Sequence, residues 1–137
     1  MTNTTIEVTL TGERKQRPQD HELQFGKAFT DHMFIMDYTT EKGWHDPRIV
    51  PYQPLTLDPA CMVFHYGQTV FEGLKAYRTE DNRILLFRPA KNFERLNQSN
   101  DRMCIPAFDE GLALEGLKKL IEVDKEWVPK SKGTSLY

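Results

Sequence analysis

The sequence predicts an α+β domain. Three observations carry that prediction: short apolar or alternating stretches dominate up to residue 87, a turn signal at 80–82 separates two of them, and two amphipathic helical patterns follow, opened by Pro89 and near Asp109. The expected layout is strands, a hairpin, and two later helices able to cover one sheet face.

Each element has its own signal. Ile6, Val8 and Leu10 alternate with polar neighbours, which predicts a short edge strand. Residues 12–24, "GERKQRPQDHELQ", are dense in charge and amide without periodicity and read as a loop. Residues 29–40, "FTDHMFIMDYTT", have a compact apolar middle between Asp31 and the turn-prone "EKGWHDPR", the pattern of a buried strand. Pro47, Pro51 and Pro54 then predict a long extended loop, because the ring fixes φ and disfavours helix at the preceding residue. Asp58 as cap, Pro59 at the first helical position and Gly67 as a left-handed terminator predict a short helix over 59–66.

Asp81 and Asn82 favour a turn, so 73–87 reads as a hairpin. Pro89 opens a helix through "AKNFERLNQSNDRM", with Phe93, Leu96 and Met103 near one face. From Asp109, the apolar residues Leu112, Ala113, Gly116, Leu117, Leu120, Ile121 and Val123 recur close to the helical period. Glu115 with Lys119, and Glu122 with Lys118 or Lys125, are expected to pair on the solvated side. After Gly133, "SKGTSLY" reads as the start of another strand that stops at Tyr137, which predicts a piece of something longer.

Composition excludes several function classes. The 137 residues carry 18 basic and 20 acidic side chains, a net charge of −2, so no electrostatic footprint for nucleic acid or an anionic membrane exists. The polar opening "MTNTTIEVTLTGERKQRPQD" lacks the apolar core of a secretory signal, and no apolar run approaches the ~18–20 residues of a membrane helix. A soluble, cytoplasmic protein is expected. Cys61 and Cys104 show no CxxC spacing and suit two reduced, buried thiols.

Few chemical motifs survive inspection. His21, His32, His45 and His65 fall in four segments with no HxH or HExxH pair, so no metal site is expected. No G-x-S-x-G, no Cys beside a His, and neither GxGxxG nor a GKS/T loop is present. What remains is "HYGQTVFEGLKAYR", residues 65–78. Strand alternation there turns Glu72, Leu74 and Ala76 one way and Phe71, Gly73, Lys75 and Tyr77 the other. Tyr66 and Phe71 read either as core packing or as an aromatic wall for an aliphatic ligand. Lys75 reads as a solvated side chain unless it lies in a dry pocket, and Arg95 as solvated unless it faces a cleft, where its guanidinium could hold a phosphate.

Taken together, "FGKAFTDHMF", "KGWHDPRIVPYQPLTLDPA", "FHYGQTVFEGLKAYR", "LLFRPAKNFERLNQSNDRMCIP" and "KGTSLY" resemble the N-terminal domain of branched-chain amino acid aminotransferases. The resemblance runs in order from Phe25 to Tyr137, leaving residues 1–24 as an N-terminal strand and polar loop. It implies the small domain, residues 25–137, of a fold type IV (D-amino acid aminotransferase-like) pyridoxal phosphate enzyme, with an antiparallel sheet, a hairpin and covering helices. It places Phe25, Tyr66 and Phe71 at the pocket for the branched side chain, Tyr137 as another substrate-side tyrosine, and Arg95 at the cofactor phosphate. The lysine that bonds the cofactor belongs to a C-terminal domain missing from this chain, and Lys75 does not match it, so no catalytic residue is assigned here.

The implied reaction is transamination of leucine, isoleucine or valine with 2-oxoglutarate by a homodimeric full-length enzyme, this chain being inactive alone. Two other classes stay open: a different fold type IV enzyme (D-amino acid aminotransferase or aminodeoxychorismate lyase), and a non-catalytic module that binds a small ligand or partner.

Overall fold

The computed structural model describes residues 5–137; the first four positions of the expected N-terminal stretch lie outside the described residues. A three-stranded sheet runs in the order β1 (Glu7–Val8), β3 (Gly43–Pro51), β2 (His32–Thr39). The β2–β3 pair is antiparallel while β1 runs parallel to β3, so the sheet is mixed rather than purely antiparallel. A separate antiparallel pair, β4 (Ala76–Arg78) and β5 (Ile84–Leu86), forms the expected hairpin. Thr79 N–H bonds the Arg83 carbonyl and Asn82 takes φ 66°, the left-handed turn geometry that Asn tolerates.

The three-proline loop is corrected most. Its first half is the central strand β3, with the loop confined to residues after Pro51. Ile35 faces Arg48 and Asp37 faces His45, so Asp46 and Pro47 together oppose the single residue Met36. That is a β-bulge, and Asp46 at φ 51° supplies the left-handed kink it needs. Pro47 lacks a ladder donor where the ladder is already interrupted, and β1 pairs only with Arg48 and Ile49 beyond it. Pro51 closes the strand.

Of the stretch read as a buried strand, β2 begins at His32 and only Asp31 and His32 are buried, because β2 is a sheet edge exposed toward Tyr38 and Thr39. The first helix, α1, spans Met62–Tyr66 instead of 59–66: Asp58 and Ala60 are spent on a turn, with Cys61 N–H on the Asp58 carbonyl. Gly67 ends it at φ 59°, as its freedom from a Cβ allows.

The later helices follow their signals. α2 (Pro89–Arg102) starts at its proline, and α3 (Glu110–Val123) starts at Asp109, whose carboxylate accepts the Leu112 N–H at 2.8 Å. α3 lays Ala113 and Gly116 on the sheet, where a Cβ at Gly116 would come within 2.6 Å of the Phe34 ring. Glu122 pairs with Lys125, but Lys119 donates to the Ile6 carbonyl at 2.8 Å instead of meeting Glu115, tying α3 to the strand beside it. Ile6, Ile49, Ala76, Ala113 and Val128 make the buried apolar core. Leu136 adds to β4 through two backbone bonds with Ala76, 2.8 and 3.0 Å, so the final residues do extend a sheet.

Candidate functional site

The connector from α1 into β4 carries most of the sequence signal, and its exposure alternates as a strand's would. Phe71, Lys75 and Tyr77 are exposed and Ala76 is buried, while Glu72, Gly73 and Leu74 are all intermediate, so the alternation is clear only from Leu74 onward. Across from it, α2 sets Asn92 and Arg95 three residues apart on one helix face. Glu72 meets both. Arg95 Nε donates to Glu72 Oε2 at 2.7 Å and Arg95 Nη2 to Oε1 at 2.5 Å, while Oε1 also accepts the Asn92 amide at 3.1 Å and the Gly73 N–H at 2.9 Å. Asn92 further donates to the Gly73 carbonyl at 2.9 Å. The Arg95 hydrogen bonds hold the Glu72 carboxyl below its usual range and raise Arg95, with the Asn92 and Gly73 donors acting in the same direction on Glu72.

This clamp borders an open cleft of about 570 Å³ walled by Lys75, Tyr77, Arg88, Lys91, Arg95 and Tyr137. Among the described residues no acidic side chain lines it. Lys91 pairs with Glu94 and Arg95 with Glu72, whereas Lys75 and Arg88 have no ion-pair partner among the described residues. Four cations around one hollow suit an anionic group with several oxygens, and a guanidinium suits a phosphate best.

Tyr137 joins this cleft to the aromatic set. Its ring lies 5.2 Å from that of Phe25, and a Cβ at Gly73 would sit 2.2 Å from its hydroxyl, so any larger residue there would displace the tyrosine from this position. The same tyrosine borders an apolar hollow of about 320 Å³ with Leu74, Leu117, Leu120 and Ile121. Phe25, Tyr137 and Arg95 are thus brought to one side of the hairpin. Tyr66 and Phe71 are not in ring contact with that pair; they project at 76% and 89% exposure, so neither ring packs in the core of this chain. Phe25 is 82% and Tyr137 61% exposed.

Glu72 and Asn92 were missed by sequence reasoning. The spacing of Asn92 and Arg95 on a helix was visible, but nothing in the sequence places them opposite Glu72. Lys75 is exposed, without the dry enclosure that covalent chemistry at a lysine demands. Cys104 is exposed and Cys61 partly so, against the expectation of two buried thiols. Among the described residues no cluster of three or more metal-ligating side chains forms, and no helix is long and apolar enough to cross a membrane.

No family model matches the chain. Individual proteins do. Branched-chain-amino-acid aminotransferase 2 of Bacillus subtilis is 65% identical over 137 residues, which is 100% of this chain and 38% of that protein. Branched-chain-amino-acid transaminase 1 of the same organism is 60% identical over 135 residues, 98% of this chain and 38% of the relative. The cytosolic branched-chain-amino-acid aminotransferase of Saccharomyces cerevisiae is 49% identical over 132 residues, 96% of this chain and 35% of the relative. The chain therefore spans well under half the length of these relatives. Across its whole length the chain matches the N-terminal part of branched-chain-amino-acid aminotransferases.

Proposed function

We propose that this chain is the substrate-side domain of a pyridoxal phosphate-dependent transaminase that exchanges amino groups between leucine, isoleucine or valine and 2-oxoglutarate. The observation that carries the reading is Arg95, fixed on one edge by Glu72 and lining a cleft with no acidic side chain among its lining residues. In this reading the domain is the small domain of fold type IV, the whole protein is a cytoplasmic homodimer, and the chain alone is inactive.

Pyridoxal phosphate, when bound, supplies an electron sink for the charge that develops on the substrate Cα as its proton leaves. The residues of this chain do the rest of their work by binding. Arg95 holds phosphate oxygens, and the Lys75, Arg88 and Lys91 cations reinforce the attraction without touching the reacting carbon. Phe25, Tyr66, Phe71 and Tyr137 form the apolar wall that takes the branched side chain. An aromatic wall rewards burial at roughly 25 cal/mol per Å² and gives a charged side chain no compensation for lost water. The rings are already exposed and so need no rearrangement to be covered by substrate. The lysine that bonds the cofactor comes from the remainder of the protein.

Steady-state kinetics of the whole protein test this. The expected result is high kcat/KM for leucine, isoleucine and valine with 2-oxoglutarate. Preference for D-alanine would move the reading to another fold type IV reaction, and absence of any transamination would replace it with a binding module.

A further inference from the structure

We infer that Glu72 is the positioning residue for Arg95: it takes one edge of the guanidinium and thereby presents the other edge, as a fork, to a phosphate. The inference rests on the proposed phosphate role of Arg95 and goes beyond it by naming what aims that group.

The donor count makes the case. A guanidinium has five N–H groups. Glu72 engages Nε and Nη2, the side edge, through two bonds of 2.7 and 2.5 Å. What remains is the end edge, where Nη1 and Nη2 offer parallel N–H groups at the spacing of two phosphate oxygens. A carboxylate competing for the phosphate position would occupy that end fork, and Glu72 does not. The pair is thus arranged for relay from clamp to arginine to ligand.

Glu72 is also fit to be the fixed member. Its side chain is 11% exposed against 60% for Arg95, and it is held from two further directions by the Asn92 amide and the Gly73 N–H. Asn92 locks the same stretch to α2 through the Gly73 carbonyl. A carboxylate with four donors around it has no freedom to swing, while an arginine alone on a helix surface has several free torsions. Fixing the guanidinium before ligand arrives removes the entropy that binding would otherwise cost. Asn92 acts one step further back, by holding Glu72.

The test measures dissociation constants of pyridoxal phosphate and of unphosphorylated pyridoxal on the whole protein. Pyridoxal affinity doubles as a control for folding. Glu72→Gln is expected to weaken pyridoxal phosphate about tenfold and leave pyridoxal unchanged, and Asn92→Ala to act in the same phosphate-specific way by a few-fold. Glu72→Gln added to Arg95→Ala is expected to cost nothing more, because the arginine through which it acts is gone. If Arg95→Ala lowers the preference for the phosphorylated compound while Glu72→Gln and Asn92→Ala do not, the positioning role is overturned. Additive losses in the double variant would overturn it as well. If Arg95→Ala itself leaves the preference unchanged, the phosphate reading falls and takes the inference with it.

Discussion

Two polar constellations in this molecule use a carboxylate to hold a basic side chain, and they differ in what is left over. In the first, His32 Nδ1 donates to Asp124 Oδ1 at 2.7 Å, the His32 backbone N–H donates to Asp124 Oδ2 at 2.9 Å, and His32 Nε2 accepts the Thr11 N–H at 2.9 Å. Both residues are 3% exposed and the imidazole has no capacity unused. The second, Glu72 with Arg95, saturates the carboxylate but leaves three guanidinium N–H groups without a partner among the described residues. A group whose partners all lie within the chain fastens the fold, whereas a group held firmly and left partly unpaired is available for a ligand.

The latch at His32 belongs to a wider fastening of the N-terminal segment. Asp31 accepts the Lys15 N–H at 2.9 Å and the Trp127 indole N–H at 3.0 Å. Burial alone would raise the Asp31 carboxyl, yet these donors and the nearby Lys15 charge bring it below its ordinary range. Together the two residues pin the strap at 11–15 and the turn after α3 to one end of β2.

The largest effect expected is on stability. Asp124→Ala leaves the buried His32 N–H groups without their acceptor and is expected to cost about 3 kcal/mol, read by urea unfolding of the whole protein. Its preference for pyridoxal phosphate over pyridoxal should be unchanged. A loss of that preference without a loss of stability would erase the distinction between the two constellations.

Next in size is Arg95→Ala. Arg95 is 60% exposed and Glu72 keeps its Asn92 and Gly73 donors without it, so the unfolding midpoint should fall only slightly while pyridoxal phosphate affinity falls roughly 30-fold. Phe71→Ala follows. With the ring 89% exposed, the melting temperature should stay put, while KM for leucine rises about fivefold through lost apolar contact. A large drop in melting temperature would make Phe71 a packing residue of the assembled protein instead.

The smallest effect is the pH dependence of the clamp. The folded-state carboxyl of Glu72 titrates below its ordinary value of 4.5, so its contribution is complete above that value and is lost as pH falls through the lower folded one. Asp31 acts in the same sense below 3.8. Unfolding free energy should therefore decline on acidification below about pH 4.5, and Glu72→Gln should make that decline slightly shallower. A steeper decline in the variant would contradict the sign.

Much of the fold was legible where local chemistry decides it. Pro89, Asp109 and Gly67 mark helix boundaries through their own backbones, and "EDN" marks its turn in the same way. β3 was hidden because its prolines are tolerated only through a bulge, and the register that creates the bulge depends on β2. Tyr66, Phe71 and Arg95 stood as open candidates on residue type, and the resemblance assigned their roles and added Phe25 and Tyr137. Glu72 was hidden for the same reason as β3: its role depends on a helix that begins 17 positions later in the chain. Long-range register and side-chain pairing are properties of the packed molecule, and single-sequence patterns carry neither.

The most direct test of the central claim is borohydride reduction of the whole protein with bound pyridoxal phosphate, followed by peptide mapping of the modified lysine. If this chain is the phosphate- and substrate-side wall, the label falls on a lysine outside residues 1–137. Stoichiometric label on Lys75 would contradict that and place the catalytic centre in the cleft itself.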